Sequence, residues 1–168
     1  LIDIVEEESE RAYREHLEWE DMCQKMKTGD FSDVNNLTES VKLSHFKVDS
    51  GDKLGVYIIQ YRPKNVVEAI AYVGEGIVAN RVPKYYRPFH DMILKKSFSN
   101  DKSNPYKVGK AMFNMDSNAD HWYVQYLPFY GEFAKNICKK FENFIYITYA
   151  ENGLEPMFCN ESQSGIVS

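Results

Sequence analysis

Tyr57 and Tyr72 stand in two β-rich runs on either side of a polar break. The first run reads Leu54-Gly-Val-Tyr-Ile-Ile-Gln-Tyr61, the break Arg62-Pro-Lys-Asn65, and the second run Val66-Val-Glu-Ala-Ile-Ala-Tyr-Val-Gly74. Such runs around a Pro/Asn break predict a hairpin. With the turn centred between Lys64 and Asn65, Tyr57 faces Tyr72 across the ladder, and cross-strand neighbours have Cβ atoms about 5 Å apart on one face. Gly55 and Gly74 flank the pair and leave room for a backbone or a ligand to approach. Between Ala79 and Met112 follow eight Lys and Arg residues (Arg81, Lys84, Arg87, Lys95, Lys96, Lys102, Lys107, Lys110) against two Asp. That local excess of cations suits phosphate. The whole chain carries −5, but residues 1–30 hold ten acidic and four basic side chains, a net of −6. The remainder is therefore at +1.

These side chains need elements to carry them. Positions 2, 5, 9, 12, 16, 19, 23 and 26 form a mostly apolar seam with Glu-rich flanks, which predicts a helix from Ile2 to Lys27 ending near Gly29. Residues 28–40 are polar, Val41 to Val48 read as a short strand, and Asp49-Ser-Gly-Asp52 as a turn. After Gly74 a helix is expected, interrupted by Pro83 and Pro88. Asn104-Pro105 opens another helix, to about Asn114. His121 to Tyr126 is strand-like in composition. From Glu132 the stripe Phe133, Ile137, Phe141 has helical period. Phe144 to Tyr149 fits either the end of that helix or a strand. The chain divides into an N-terminal helical extension and linker, residues 1–50, and a domain over 51–168. The class is α+β.

No apolar run is long enough to span a bilayer, no secretory pattern opens the chain, and no membrane partner is expected. Cys23, Cys138 and Cys159 are odd in number and far apart, which fits a reducing compartment. An intracellular location follows as the expectation, cytoplasmic or, in a eukaryote, nuclear. His16, His45, His90 and His121 have no metal-ligand spacing with each other or with cysteine, which argues against zinc.

Gly55-Val-Tyr57, then Tyr72-Val-Gly74, then Arg81 resembles the GIY-YIG nuclease family. The resemblance covers about Gly55 to Asn160. It implies a small three-stranded antiparallel sheet flanked by helices in the order ββααβα, here preceded by the acidic helix. The family's further signatures find matches in Tyr85, four after Arg81; in Glu142, within Phe141-Glu-Asn-Phe-Ile145; and in Asn160, after Pro156. The chain departs from the family at Glu75, where many relatives carry Lys, Ser or Gln, and in a long interval between Glu142 and Asn160.

The implied function is Mg²⁺-dependent hydrolysis of phosphodiester bonds in DNA, with one active site per chain and Mn²⁺ able to substitute. The implied catalytic residues are Tyr57, Tyr72, Arg81, Tyr85 and Glu142. Glu142 would hold the metal, since Mg²⁺ takes hard oxygen ligands and keeps several waters. Arg81 would stabilise the phosphorane with a permanently charged planar fork. Tyr57 would be the general base or the relay to it, and Tyr72 would hold the water or a phosphate oxygen. A free phenol, with a pKa of about 10, needs a cation or metal-bound water to serve as a base at neutral pH. Lys84, Arg87, His90 and Asn160 are the implied substrate contacts. Glu155, just before Pro156, competes with Glu142 for the metal. A homodimer or a partner protein would meet the N-terminal helix. Two other readings stay open: a catalytically silent domain of the same fold that binds DNA or a protein, and an unrelated α+β interaction domain that works through its acidic helix.

Overall fold

The computed structural model describes residues 2–27, 37–48 and 54–159. Its helices are α1 (Ile2–Lys27), α2 (Val78–Lys95), α3 (Asn104–Met115) and α4 (Ala134–Glu151). Its strands are β1 (Val41–Lys42), β2 (Leu54–Tyr61), β3 (Ala69–Ile77) and β4 (Trp122–Phe129). The strands form one antiparallel sheet in the order β1-β4-β2-β3. The architecture is α+β, with four strands where three were expected. The fourth is the short β1, only the first two residues of the Val41 to Val48 stretch read as a strand, which pairs Val41 with Val124 and Lys42 with Tyr123. Leu43, just after it, is in the core. The segment assigned by sequence to the linker thus contributes to the domain.

β2 is apolar along nearly its whole length because helices cover both faces of the sheet, a pattern that alternation cannot produce. Tyr57 and Ile59 point to one face and pack with Tyr72, Val82, Tyr85 and Phe89. Val56 and Ile58 point to the other and pack with Ile137, Cys138 and Phe141 of α4. The hairpin register differs from the expected one. Tyr57 pairs with Gly74 and Ile59 with Tyr72, and an irregularity after Ile59 then brings Gln60 opposite Ile70. The offset is two residues at the tyrosines. A side-chain period of two means that this slip leaves both rings on the same face.

The helix after Gly74 is not interrupted: α2 runs through both Pro83 and Pro88. An interior proline costs about 3 kcal/mol in a helix, and burial of α2 on two sides outweighs it. Val78, Val82, Tyr85 and Phe89 are buried on the core side. Pro88 packs at the crossing with α3, where Gly109 permits close contact. A Cβ at Gly109 would lie 2.5 Å from the Tyr85 carbonyl oxygen and 3.0 Å from Pro88 Cγ. The ambiguity at Phe144 to Tyr149 resolves as helix, within α4.

α1 lies against α4. Met22 is buried, and the Trp19 ring meets Phe144 edge-on at 6.3 Å. Arg11 donates to Glu132 Oε1 at 2.9 Å, and Lys140 donates to Glu15 Oε1 at 3.0 Å. The docking residues therefore differ from most of the seam read in the sequence, and Val5, Ala12 and His16 are exposed. Among the described residues no helix is long and apolar enough to cross a membrane.

Candidate active site

Glycines set the first part of the geometry. A Cβ at Gly74 would stand 2.5 Å from both Cζ and Oη of Tyr57. The Tyr57 ring thus lies across β3, in the space that a side chain at Gly74 would fill. Gly76 has φ +133°, a conformation that suits glycine. A Cβ there would meet Arg81 Nε at 2.5 Å. The Arg81 side chain, from the first turns of α2, folds back over the end of β3 in consequence.

Three phenols meet at this point. Tyr57 Oη and Tyr85 Oη are 2.7 Å apart. The ring centroids of Tyr57 and Tyr85 are 5.6 Å apart, those of Tyr72 and Tyr85 5.5 Å, and those of Tyr57 and Tyr72 6.4 Å. The Tyr85 phenol is acted on by Tyr72 as well as by Tyr57. Arg81 lies close enough to Tyr57 for each to act on the other's charge. Asn104 Nδ2 donates to Tyr72 Oη at 3.1 Å from the start of α3.

The electrostatics follow from burial. Desolvation raises Tyr57 well above the usual tyrosine range, and Tyr72 adds to the rise. The Tyr85 hydrogen bond and Arg81 oppose it only in part. Tyr85 is raised for the same reasons, burial first and then its two phenol neighbours. Both phenols are therefore neutral at ordinary pH. For Arg81, desolvation acts downward, but Tyr57 and Glu75 outweigh it and hold the guanidinium above its ordinary value.

Glu142 comes from α4, on the other face of the sheet, and is 6% exposed. Its charge acts on Tyr57 and on the Cys138 thiol, as the Glu75 charge does on Cys138. Burial pushes that thiol up to about 12, although it accepts from the Gly76 N–H. Glu155 is exposed and acts on Tyr146, away from the phenol cluster.

No protein-family model, curated protein or solved structure matches this chain.

The remaining candidates fall in two groups. Lys84 and Arg87 extend the basic row of α2 from Arg81, and both act on Asp101 in the loop before α3. His90 is exposed beside Tyr86, with ring centroids 6.3 Å apart. It stands nine residues beyond Arg81, roughly 13 Å along the helix, and does not join the phenols. Asn160 lies outside the described residues. The segment leading to it runs beside β3: Met157 N–H donates to Ile70 O at 3.0 Å and Phe158 N–H to Ala71 O at 2.9 Å. Phe158 packs against the core that contains Tyr72.

Among the described residues no group of three or more His, Cys, Asp and Glu side chains forms a metal cage. Mg²⁺ needs none, because one or two carboxylates with water and phosphate oxygens suffice. The carboxylate of Glu142 is the right donor type, and it lies in electrostatic range of Tyr57. Asn104 is the participant that sequence reasoning missed. It is 32 residues from Tyr72, and no motif or period connects the two.

Proposed function

We propose that this chain is a Mg²⁺-dependent endonuclease of the GIY-YIG type that hydrolyses phosphodiester bonds in DNA. One observation carries the reading: the Tyr57 hydroxyl contacts that of Tyr85 at 2.7 Å, and the charges of Arg81 and Glu142 both act on it. Hydrolysis forms a bond from water oxygen to phosphorus and breaks the bond from phosphorus to the 3′ oxygen, and the proton lost by the water ends on that 3′ oxygen. Charge gathers on the phosphoryl oxygens, and Arg81 supplies donors of fixed positive charge there. Tyr72 and Tyr57 hold the water and a phosphoryl oxygen by hydrogen bonds. Because burial keeps the phenols neutral, they orient and relay protons and do not act as free bases. Glu142 would hold the Mg²⁺, which when bound supplies charge neutralisation at the phosphoryl and leaving oxygens. Lys84 and Arg87 extend the phosphate contact along α2, and one such site cuts one strand at a time.

The burial of the same residues favours a second reading. Tyr57 and Tyr85 have no exposure, and Glu142 has little. A silent domain of this fold that binds DNA through α2 would have the same cluster as a packing device. Incubation with supercoiled plasmid separates the two. The nuclease reading expects nicked circles with Mg²⁺ or Mn²⁺ and none with EDTA. Intact plasmid under all conditions, together with salt-sensitive DNA binding, would replace it with the silent domain.

A further inference from the structure

We infer that Asn104 is a positioning residue for the tyrosine cluster, its amide turning the Tyr72 hydroxyl so that the phenol presents its proton, and not a lone pair, to what it faces. The kinetic consequence rests on the hydrolase reading. The orientation itself does not.

A phenol has one proton to donate and lone pairs to accept with, whereas the NH₂ of an asparagine amide only donates. Asn104 Nδ2 donates to Tyr72 Oη at 3.1 Å. A lone pair of Tyr72 is thereby engaged on the α3 side, and the O–H bond must swing away from it. Tyr85 packs against Tyr72 with ring centroids 5.5 Å apart, and its hydroxyl in turn contacts that of Tyr57 at 2.7 Å. Arg81 also only donates, and its charge acts on Tyr57. The three phenols are therefore held between two groups that give hydrogen bonds and accept none. One phenol proton is spent in the bond between Tyr57 and Tyr85, and the orientation imposed by Asn104 turns that of Tyr72 toward an oxygen in front of it, whether of a phosphate or of a water.

Asparagine at a helix start usually serves its own backbone, and Asn104 does not. Ser103 is the N-cap and makes no side-chain cap bond, while Asn104 and Pro105 occupy the first turn. The Asn104 side chain reaches across to β3 instead. The element that carries it is pinned. Tyr106 Oη donates to the buried Asp91 of α2 at 2.7 Å and accepts from the Ser99 N–H at 2.7 Å. Gly109 brings α3 against the Tyr85 backbone. A donor on a pinned helix is preorganised, and positioning groups of this kind can control rate by about 10²-fold through shifts near 1 Å.

The test uses the full chain with tyrosine labelled at ¹³Cζ, the Tyr72 resonance being assigned by its loss in Tyr72→Phe. Asn104→Asp keeps the size, removes the donor and adds an acceptor. It should move the Tyr72 resonance and leave that of Tyr61 unchanged. Single-turnover nicking should slow by about 10–100-fold, with little change in the DNA concentration for half-maximal rate. Asn104→Gln, which keeps a donor, should recover part of the loss. The exposed position of Asn104 makes a folding defect easy to exclude by thermal melting. An unmoved Tyr72 resonance in Asn104→Asp overturns the inference whatever the cleavage result. If the wild type nicks DNA and Asn104→Asp nicks it within twofold, the positioning role fails and the nuclease reading stands. If the wild type never nicks while the Tyr72 resonance shifts as expected, the orientation stands and the nuclease reading fails.

Discussion

Gly74→Ala is the most direct probe of the cluster, because it adds one carbon and removes nothing. The new Cβ would lie 2.5 Å from Cζ and Oη of Tyr57 and 2.6 Å from Cε2. Carbon contacts are comfortable at about 3.5–4.0 Å, so the ring must retreat by roughly 1 Å. The 2.7 Å contact between Tyr57 and Tyr85 hydroxyls would then exceed hydrogen-bonding distance. Tyr57 is on β2, which is central in the sheet and buried on both faces, so the strand that carries the ring has little room to give. Overpacking of this kind costs about 1–3 kcal/mol, which for a chain of this size lowers the melting temperature by about 2–12 °C. A displacement near 1 Å in a catalytic group costs about 10² in rate. The assay is single-turnover plasmid nicking with thermal melting alongside, on Gly74→Ala, Tyr57→Phe and the double variant. Both single changes act through the Tyr57 hydroxyl. The double variant should therefore nick hardly more slowly than the slower single, which is the mark of coupled sites. Two results would refute the reasoning: near-normal nicking and melting in Gly74→Ala, or rate losses that multiply in the double variant.

Arg81→Ala should lose about 10²–10³ in single-turnover rate while melting normally, since its side chain caps the end of β3 and is no part of the core; a rate within tenfold of wild type rejects its role. Glu142→Gln should abolish nicking in Mg²⁺ and Glu155→Gln should leave it intact, because only Glu142 acts on Tyr57; a dead Glu155→Gln beside an active Glu142→Gln moves the metal to the tail. Alkali should destabilise the chain. The unfolded phenols ionise near pH 10, while Tyr57 and Tyr85 stay protonated in the folded state, so their contribution is whole below pH 10 and lost as pH rises above it. Denaturant titrations from pH 8 to 11 measure this, and Tyr85→Phe should flatten the alkaline fall; an unchanged slope would mean that the buried phenols are not its source.

The elements were legible where a single local signal decided them. The Pro/Asn break gave the hairpin, and the apolar stripe gave α4 without its end. The register was not legible, because it depends on the turn and on the irregularity after Ile59, where no residue type marks the change. The consequence was small for a physical reason. A two-residue slip preserves the face, so Tyr57 and Tyr72 still converge although Gly74, and not Tyr72, is the partner of Tyr57. Local propensity misled at α2. Pro83 and Pro88 argue for a break, and only the packing of α2 between sheet and α3 overrides them. Propensity could not give the docking face of α1 either, because both flanks of the helix carry charge, and it is the contacts of Trp19, Met22, Arg11 and Glu15 that distinguish them.

The site shows the same division more sharply. Tyr57, Gly74 and Arg81 lie close in sequence on one strand pair and the helix that follows, so a short pattern can specify their meeting. Glu142 arrives from the opposite face of the sheet, and its nearness to Tyr57 depends on where α4 sits on β2 and β3. That placement is set by Ile137, Cys138 and Phe141 packing onto Val56 and Ile58, and helical period alone supplies only the facing residues, not the distance. Asn104 is one step further removed. Its amide reaches Tyr72 only because α3 is held against α2 by the bond from Tyr106 to Asp91 and by the missing side chain at Gly109. Each of those contacts joins residues far apart in the chain, and neither carries a mark in composition or spacing. A sequence pattern can thus name the groups that do chemistry when one hairpin and the helix after it present them. The groups that aim them are fixed by tertiary packing, and there the structure has to be read.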